Sequence, residues 1–303
     1  MRNNNLTHKD SVLIIGASGR VGKEIYKSFK NHINNYDIFG TYFSKQIPYL
    51  HHLNITNQSE IEKIFKKTMP TILIHTAGMI HPLQCEEKKE LSWSINVIGT
   101  KNIVDCCKKY NCKLVYISTD YVFDGKNNPY EESAITNPLN QYGMTKLESE
   151  KLISSLNDYL IIRSAWINDI HKDSKSFVMQ VLNSLKNRQK FYAPDDQFGH
   201  PTLSVNLAEI IFELISKSQQ GIFHVTGSTY IDRYNFALKI AKVFLLDENL
   251  IQKISTSELN QKIKRPLKIQ MNLKKLKSVI STKILSLEDQ LNYMKQTSDN
   301  MNS

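Results

Sequence analysis

A tyrosine and a lysine four residues apart, Tyr142 and Lys146, form a pattern that can carry acid–base chemistry. On a helix this spacing places both side chains on one face. A phenol has an ordinary pKa of about 10, and a nearby ammonium stabilises the phenolate and moves that pKa toward neutrality. The same lysine can also reach a ribose hydroxyl of a bound nucleotide. Most Tyr-x-x-x-Lys pairs are surface pairs, so the function of this one depends on its neighbours in the sequence.

The run from Ser118 to Gly125 (Ser-Thr-Asp-Tyr-Val-Phe-Asp-Gly) begins 24 residues before Tyr142. It follows a predicted buried strand, and the ligands of an open parallel sheet bind at the carboxyl ends of its strands. The hydroxyl of Ser118 or Thr119 can therefore donate a hydrogen bond to a substrate carbonyl, whose oxygen becomes negative during hydride addition. Together the two segments predict the reduction of a carbonyl group.

A glycine-rich loop, Gly16-Ala17-Ser18-Gly19-Arg20-Val21-Gly22, lies between a predicted strand and a predicted helix. Gly16 allows a tight turn, Gly19 lets a pyrophosphate approach the backbone, and Gly22 lets the helix pack closely on the strand. The amino end of the helix then offers free N–H groups to the pyrophosphate. The placement of the loop favours dinucleotide binding over an ordinary glycine turn.

The segment after the second predicted strand indicates which nicotinamide cofactor binds. An acidic residue ~20 positions after the loop usually holds the ribose 2′-OH of NAD, but residues 40–45 contain none. Ser44, Lys45 and Arg20 could instead hold a 2′-phosphate. The sequence therefore predicts a preference for NADPH and leaves NADH open.

Short apolar runs alternate with amphipathic stretches over the first two thirds of the chain, which predicts a parallel sheet with helices on both faces. The predicted fold is α/β, a Rossmann-type doubly wound parallel sheet with a smaller, discontinuous C-terminal substrate-binding lobe. The cofactor domain is predicted over 11–165 with 203–226, and the lobe over 166–202 and 227–295. Strands are predicted at 11–15, 36–41, 71–75, 113–118, 160–163 and 221–225, and helices at 21–31, 59–67, 91–109, 141–155, 177–186 and 205–215.

The composition excludes several classes of protein. The chain has 303 residues, of which 41% are hydrophobic, so we expect a sizeable core rather than disorder or a small disulfide-stapled module. The net charge is +10, and residues 251–303 contribute ten basic and four acidic residues. Such an excess can bind an anionic ligand or form a solvated face. Because no nucleic-acid module accompanies it, a nucleic-acid partner is not predicted.

The sequence also predicts a cytoplasmic protein. No apolar run approaches the ~18 residues of a membrane span, and the first residues have no apolar secretion signal. The cysteines do not form two spaced pairs, which favours reduced thiols and argues against a metal site. These cysteines are Cys85, Cys106, Cys107 and Cys112.

From about Ser11 to Tyr293 the chain resembles the extended short-chain dehydrogenase/reductases, and within them the dTDP-4-dehydrorhamnose reductase family. The runs that carry the resemblance are Gly16 to Gly22, Ser118 to Gly125, Pro129 to Glu132, Pro138 to Glu148, Arg163 to Trp166, Asp196 to Thr202 and Arg265-Pro266.

The resemblance implies roles for individual residues. Tyr142 would protonate the carbonyl oxygen, Lys146 would hold the nicotinamide ribose, and Thr119 would be the catalytic hydroxyl, with Ser118 as a second candidate. The Asn54-Ile55 segment stands where relatives often have an aspartate that contacts adenine. The predicted cofactor-binding residues are Gly16, Ser18, Gly19, Arg20, Val21, Gly22, Ser44, Lys45, Asn54, Ile55, Ala77, Gly78, Tyr142 and Lys146. The predicted substrate-binding residues are Asp120, Val122, Phe123, Trp166, His200, Thr202 and Arg265.

The implied function is the NADPH-dependent reduction of the C4 keto group of a nucleotide-linked 4-keto-6-deoxyhexose, with dTDP-4-dehydro-L-rhamnose as the favoured substrate and dTDP-L-rhamnose as the product. A homodimer is possible, and the sequence shows no ligand set for the divalent metal that some relatives bind at a dimer contact. Two alternatives remain. One is a non-catalytic, NADP-binding regulatory subunit that resembles that of methionine adenosyltransferase, and the other is a nucleotide-sugar epimerase.

Overall fold

A computed structural model describes residues 9–32, 35–171, 173–259 and 262–302, with side chains to residue 299. Seven strands form one parallel sheet, and six short strands form three two-stranded pairs. The sheet strands are β1 Asp10–Ile15, β2 Tyr36–Tyr42, β3 His51–His52, β4 Ile72–His75, β5 Lys113–Thr119, β6 Tyr159–Ser164 and β11 Gly221–His224. The others are β7 Ile167–Asn168, β8 Phe191–Pro194, β9 Phe198–Gly199, β10 Thr202–Leu203, β12 Ile231–Asp232 and β13 Ile251–Ile254.

Helices cover both faces of the sheet. They are α1 Arg20–Lys30, α2 Gln58–Thr68, α3 Pro82–Glu87, α4 Lys89–Trp93, α5 Gly99–Tyr110, α6 Gln141–Ile153, α7 Phe177–Lys186, α8 Ser204–Ser216, α9 Arg233–Val243, α10 Lys274–Lys277 and α11 Leu287–Asn302. A π-helical segment covers Ser94–Ile98, and 3₁₀ turns cover Asp120–Val122 and Glu248–Leu250. None of the described helices has the length and apolar character needed to cross a membrane.

The sheet order, β11-β6-β5-β4-β1-β2-β3, explains where a ligand can bind. The chain runs outward from β1 to β3 and then returns to the other side of β1 with β4. The connections that follow β1 and β4 therefore leave the sheet in opposite directions and open a crevice at the carboxyl ends of these strands. The predicted doubly wound fold is confirmed.

Alternation along the strands supplies a core on each face of the sheet. Val12 and Ile14 of β1 belong to a buried cluster with α1 and α8, whereas Leu13 and Ile15 belong to a second cluster with α2 and α5. Successive side chains of a strand point to opposite faces, so a continuous apolar run fills both clusters.

A third apolar cluster lies away from the sheet, among α7, α9, α11, β8 and β13. Its members come from both predicted parts of the substrate-binding lobe and include Leu203, from the segment predicted to join the cofactor domain. The boundaries at 11–165 with 203–226, and at 166–202 with 227–295, remain a prediction.

The predicted helix at 91–109 is interrupted. The structure instead has α4, the π-helical segment Ser94–Ile98 and α5. The Asn96 side chain accepts a hydrogen bond from Met79 N at 2.7 Å and donates to Met79 O at 3.0 Å and to Thr145 Oγ1 at 3.0 Å. The π-helical segment therefore ties the loop after β4 to α6, and this tie depends on contacts that periodicity does not show. The two-residue strands were also missed, since so short a run has no periodicity.

Buried histidines make the stability of the fold sensitive to acid. Burial lowers the pKa of His75 to about 3, that of His200 to about 4 and that of His224 to about 3. Below pH 6.5 these histidines are therefore protonated in the unfolded chain but neutral in the folded chain. The free energy of unfolding decreases as the pH decreases. Asp120 offsets the proton uptake of about one of these histidines. Burial raises its pKa to about 7, so it binds its proton in the folded state and releases it on unfolding.

From these four groups alone, we expect the free energy of unfolding to fall by about 2–3 kcal/mol for each pH unit lost near pH 5, which corresponds to a net uptake of two protons on unfolding. Urea unfolding at pH 6, 5.5, 5 and 4.5 measures this slope. His200→Gln, which removes one titrating group, should reduce the slope by about 1.4 kcal/mol per pH unit. A free energy of unfolding that stays flat over this range would contradict the prediction.

Candidate active site

A cleft of about 940 Å³ lies at the carboxyl ends of β1, β4 and β5. It is lined by residues of the glycine-rich loop, by the segments after β2 and β4, and by the beginning of α6. The predicted residues that line it are Gly16, Ser18, Gly19, Arg20, Val21, Gly22, Ser44, Asn54, Ile55, Ala77, Gly78, Ser118, Thr119, Asp120, Tyr142, Lys146, Trp166 and Arg265. The structure thus brings most of the predicted site residues together.

The glycine-rich loop is shaped for a close approach of backbone to ligand. Gly16 has a φ of +84°, a left-handed conformation that favours glycine. A Cβ at Gly22 would lie 2.2 Å from the carbonyl oxygen of Gly16, so only glycine lets α1 pack against the turn. Helix α1 begins at Arg20 and directs its amino end to the cleft. Such a helix end suits a pyrophosphate, so the loop fits a dinucleotide.

Arg20 and Lys45 are positioned differently from Ser44. The Arg20 side chain donates to Ile167 O at 3.1 Å and lies 3.2 Å from the Asp169 carboxylate, so it bridges the loop to the segment after β6. Lys45 is exposed and lies 3.8 Å from Asp173, outside the lining of the cleft. Of the three residues predicted to hold a 2′-phosphate, Arg20 and Ser44 line the cleft. Arg20 is already engaged in an ion pair, whereas the Ser44 side chain is uncharged.

Thr119 and Tyr142 both line the cleft. The Thr119 hydroxyl donates to Asp120 Oδ1 at 3.1 Å and accepts from Tyr121 N at 3.2 Å, which orients it at the end of β5. Burial raises the pKa of the Tyr142 phenol above its ordinary value, and a hydrogen bond with Thr119 opposes that rise. The phenol is therefore protonated near neutrality, which is the form that can donate a proton.

Lys146 lies one turn along α6 from Tyr142 and is almost fully buried. Its ammonium donates to Ile117 O at 2.6 Å and lies 3.9 Å from the centroid of the Tyr116 ring. Burial lowers the pKa of Lys146 to about 7, and the charge of Glu150 opposes that shift. The expectation that this ammonium moves the pKa of Tyr142 toward neutrality is wrong for this structure, because burial of the phenol dominates.

A buried ion pair between Glu150 of α6 and Arg163 of β6 lies beside Ser118. Glu150, two turns after Tyr142 on α6, receives the Arg163 guanidinium at 2.8 Å, and both side chains are about 4% exposed. The Ser118 hydroxyl donates to the same carboxylate. Ser118 lines the cleft, but this bond commits its hydroxyl to Glu150 and leaves Thr119 as the better placed of the two predicted hydroxyls.

The charged residues that line the cleft are mostly basic. They are Arg20, Lys88, Lys146, Arg233 and Arg265, with Asp120 as the acidic one. No group of three or more His, Cys, Asp or Glu side chains that could hold a metal ion occurs in the part of the chain that the structure describes. The lining therefore suits an anionic ligand.

The sequence model of the RmlD substrate-binding domain family matches residues 10–299. The chain belongs to this family. A dTDP-4-dehydrorhamnose reductase of Aggregatibacter actinomycetemcomitans is 30% identical over 278 residues, which cover 88% of this chain and 91% of the relative. The predicted membership of the dTDP-4-dehydrorhamnose reductase family is thereby confirmed.

Solved structures show the same relationship. The dTDP-4-dehydrorhamnose reductase of Bacillus anthracis, solved in complex with NADP, has a TM-score of 0.86 and 30% identity, and the match covers 96% of this chain and all of that one. Another relative is subunit beta of methionine adenosyltransferase 2 from Xenopus tropicalis, which is 29% identical over 88% of this chain and 81% of its own length. The chain is thus similar both to proteins named as reductases and to one named as a transferase subunit.

Four predicted substrate-binding residues of this RmlD-family chain do not line the cleft. Val122 and Phe123 are fully buried in a small apolar cluster with Tyr130. The His200 ring lies between the carbonyl oxygen of Gly227, at 3.1 Å, and the amide of Met271, at 3.2 Å. Thr202 is also buried. His200 instead holds the segment that follows Arg265, because its Nε2 accepts the Met271 amide proton.

Arg233 is a residue of the RmlD-family cleft that the sequence did not predict. It is the first residue of α9, and its guanidinium lies 3.6 Å from the centroid of the Trp166 ring. A stack between residues so far apart in sequence leaves no local pattern. The local signal was a basic residue directly after an aspartate that can cap a helix, Asp232, and most such residues are solvated.

Proposed function

We propose that this RmlD-family chain is a reductase that uses NADPH to convert the C4 keto group of dTDP-4-dehydro-L-rhamnose to the hydroxyl of dTDP-L-rhamnose. The observation that carries the proposal is the convergence of Thr119, Tyr142 and Lys146 on a cleft that begins at the glycine-rich loop. The reductases at 30% identity and the NADP complex among them support the same reaction and cofactor.

The roles of the residues follow from their positions. NADPH, when bound, supplies the hydride that reaches the carbonyl carbon. Tyr142 donates its phenolic proton to the carbonyl oxygen, so that one hydride and one proton convert the ketone to an alcohol. Thr119 holds that oxygen through its hydroxyl. Lys146, one turn along α6 from Tyr142, would hold the nicotinamide ribose.

The cofactor interactions are also proposals. Gly16, Gly19 and Gly22 shape the turn for the pyrophosphate, and Ala77 and Gly78 line the turn after β4 beside it. Asn54 uses its side-chain oxygen to bind Thr56 N and Oγ1, which shapes the adenine end of the cleft. With Ser44 and no carboxylate from residues 40–45, that end favours the 2′-phosphate of NADPH.

We further propose that the reaction takes place in the cytoplasm. All four cysteines are free, which supports a reducing compartment. A nucleotide-sugar substrate accords with the basic lining of the cleft. Assembly as a homodimer and the absence of a nucleic-acid partner stay predictions.

The decisive test is NADPH oxidation, followed at 340 nm, by the purified chain with dTDP-4-dehydro-L-rhamnose generated in situ. We expect consumption of NADPH that matches formation of dTDP-L-rhamnose, and slower consumption of NADH in a parallel reaction. Failure to consume either cofactor with this substrate would overturn the proposal.

A second candidate is a non-catalytic regulatory subunit, favoured by the 29% identity to subunit beta of methionine adenosyltransferase 2. This function predicts that NADPH binds without turnover of the keto sugar and that a transferase co-purifies with the chain. The complete set of Thr119, Tyr142 and Lys146 favours the reductase. An epimerase would interconvert isomers with no net loss of NADPH, so the same assay distinguishes it.

A further inference from the structure

The buried carboxylate of Glu150 connects three elements, α6, β5 and β6. Arg163 of β6 donates to both of its oxygens, from Nε at 3.1 and 3.2 Å and from Nη2 at 2.8 Å. Ser118 of β5 donates its hydroxyl to Oε1. Glu150 follows Lys146 by four residues on α6, so the two side chains lie on one face of the helix. The carboxylate is thus held at one place beside the lysine.

Ser118 lies between two residues of β5 that belong to the site. Before it, Ile117 accepts a hydrogen bond from the Lys146 ammonium at 2.6 Å through its carbonyl oxygen. After it, Thr119 presents its hydroxyl at the cleft. Planar peptide groups join the three residues, so a side chain that is held at the middle one also restrains its neighbours. The bond from Ser118 to the carboxylate therefore fixes the acceptor of the lysine and the position of Thr119.

Glu150 is also the group whose charge favours a charged Lys146. Burial lowers the pKa of Lys146 to about 7, and the charge of Glu150 is the largest effect that opposes this shift. The other titratable groups that face the ammonium among the described residues are Cys85 of α3, His75 of β4, Tyr116 of β5 and Tyr142 of α6. Burial keeps these four uncharged near pH 7, since it raises the pKa of the thiol and of both phenols and lowers that of the imidazole.

The charge of Lys146 decides how many hydrogen bonds it can donate. An ammonium has three N–H donors, and one of them is bound to Ile117 O. Two donors then remain for the two hydroxyls of a ribose, whereas a neutral amine in the same place keeps only one. The ammonium is therefore the form that suits the proposed contact with the nicotinamide ribose.

We propose that Glu150 is a positioning residue for Lys146, which it holds in place through Ser118 and keeps as an ammonium through its negative charge. Arg163 fixes the carboxylate for this role. Glu150 lies outside the lining of the cleft, so it acts through its neighbours and not on the ligands. The inference rests on the proposed function, in which Lys146 holds the ribose of NADPH.

The direct test is the titration of Lys146, followed by NMR on the full chain labelled with ¹³C at the lysine Cε. The resonance that disappears in Lys146→Met identifies this residue. Glu150→Gln keeps an oxygen that accepts from Ser118 but removes the charge, so the midpoint of the titration should fall by about one pH unit. Glu148→Gln is the matched control, because this surface carboxylate of α6 pairs with Lys151, and it should leave the midpoint unchanged.

The affinity for NADP⁺ gives a second readout, which a purely structural role would not produce. Since the ammonium is the form that binds the ribose, affinity follows the protonated fraction of Lys146. Glu150→Gln should bind NADP⁺ about eightfold more weakly than wild type at pH 7.5 and about twofold more weakly at pH 6. Calorimetry at the two pH values measures both affinities.

A second variant guards against the instability of an unpaired buried arginine. Glu150→Gln combined with Arg163→Met buries no lone charge at this place, and its midpoint should lie below that of wild type and above that of Glu150→Gln. A midpoint that stays at the wild-type value in both variants overturns the proposal, as does a loss of NADP⁺ affinity that is equal at both pH values. If wild type fails to turn over the keto sugar while the titration of Lys146 still depends on Glu150, the reductase proposal fails and the positioning role stands.

Discussion

Replacing Tyr142 with phenylalanine should lower turnover of the keto sugar about 10³-fold, which is the middle of the range for a general acid. The substitution removes only the phenolic oxygen, and the ring keeps its contact with Tyr121. Burial keeps the phenol protonated, so its oxygen can donate a proton to a carbonyl that the Thr119 hydroxyl holds. Steady-state kinetics with NADPH and dTDP-4-dehydro-L-rhamnose measure the loss.

The affinity for NADPH separates this effect from a structural one. Tyr142→Phe should bind NADPH within about threefold of wild type, because the glycine-rich loop that holds the pyrophosphate is untouched. Tyr192→Phe, at an exposed tyrosine of β8, is the matched control and should leave turnover unchanged. Turnover by Tyr142→Phe within a few-fold of wild type would show that another group delivers the proton.

Replacing Arg163 with methionine should lower the free energy of unfolding by about 3–5 kcal/mol, the usual cost of removing one partner of a buried ion pair. Arg163 bonds both carboxylate oxygens of Glu150 and also donates to Glu132 O. Without it, Glu150 would be left as a buried charge beside Ser118. Urea unfolding at pH 7 measures the change.

Two comparisons sharpen this result. Lys151→Met breaks the exposed pair with Glu148, and it should cost less than about 1 kcal/mol. The double variant Arg163→Met, Glu150→Met removes both charges, so it should recover more than half of the stability that Arg163→Met loses. A single variant as stable as Lys151→Met would mean that the buried pair does not stabilise the fold.

The parts of the site that were predictable depend on short stretches of chain. The spacing of Tyr142 and Lys146 places them one turn apart on any helix, and Thr119 ends a strand whose apolar run is plain in the sequence. The glycine-rich loop is equally local. The alternation of strand and helix predicted the sheet, because only right-handed crossovers of this kind bury both of its faces.

Other residues predicted to bind the substrate do not line the cleft, because a local sequence pattern does not specify which way a side chain points. His200 lies in a run that resembles the family, yet its ring bonds Gly227 and Met271 in the interior. Phe123 comes four residues after Thr119, but its side chain is buried in the core. The 3₁₀ turn Asp120–Val122 redirects the chain between them.

The sequence by itself determined the doubly wound fold, the cofactor loop and the order of the acid–base residues, because each depends on neighbours in the chain. Tertiary structure alone decided which groups are free to act. Packing brings Glu150 to Ser118, Asp169 to Arg20 and Trp166 to Arg233. It also sets the pKa of Tyr142 and that of Lys146, since burial arises from elements that are distant in sequence. The free energy of a charge depends on what surrounds it in space, and the order of residues along the chain does not specify those surroundings.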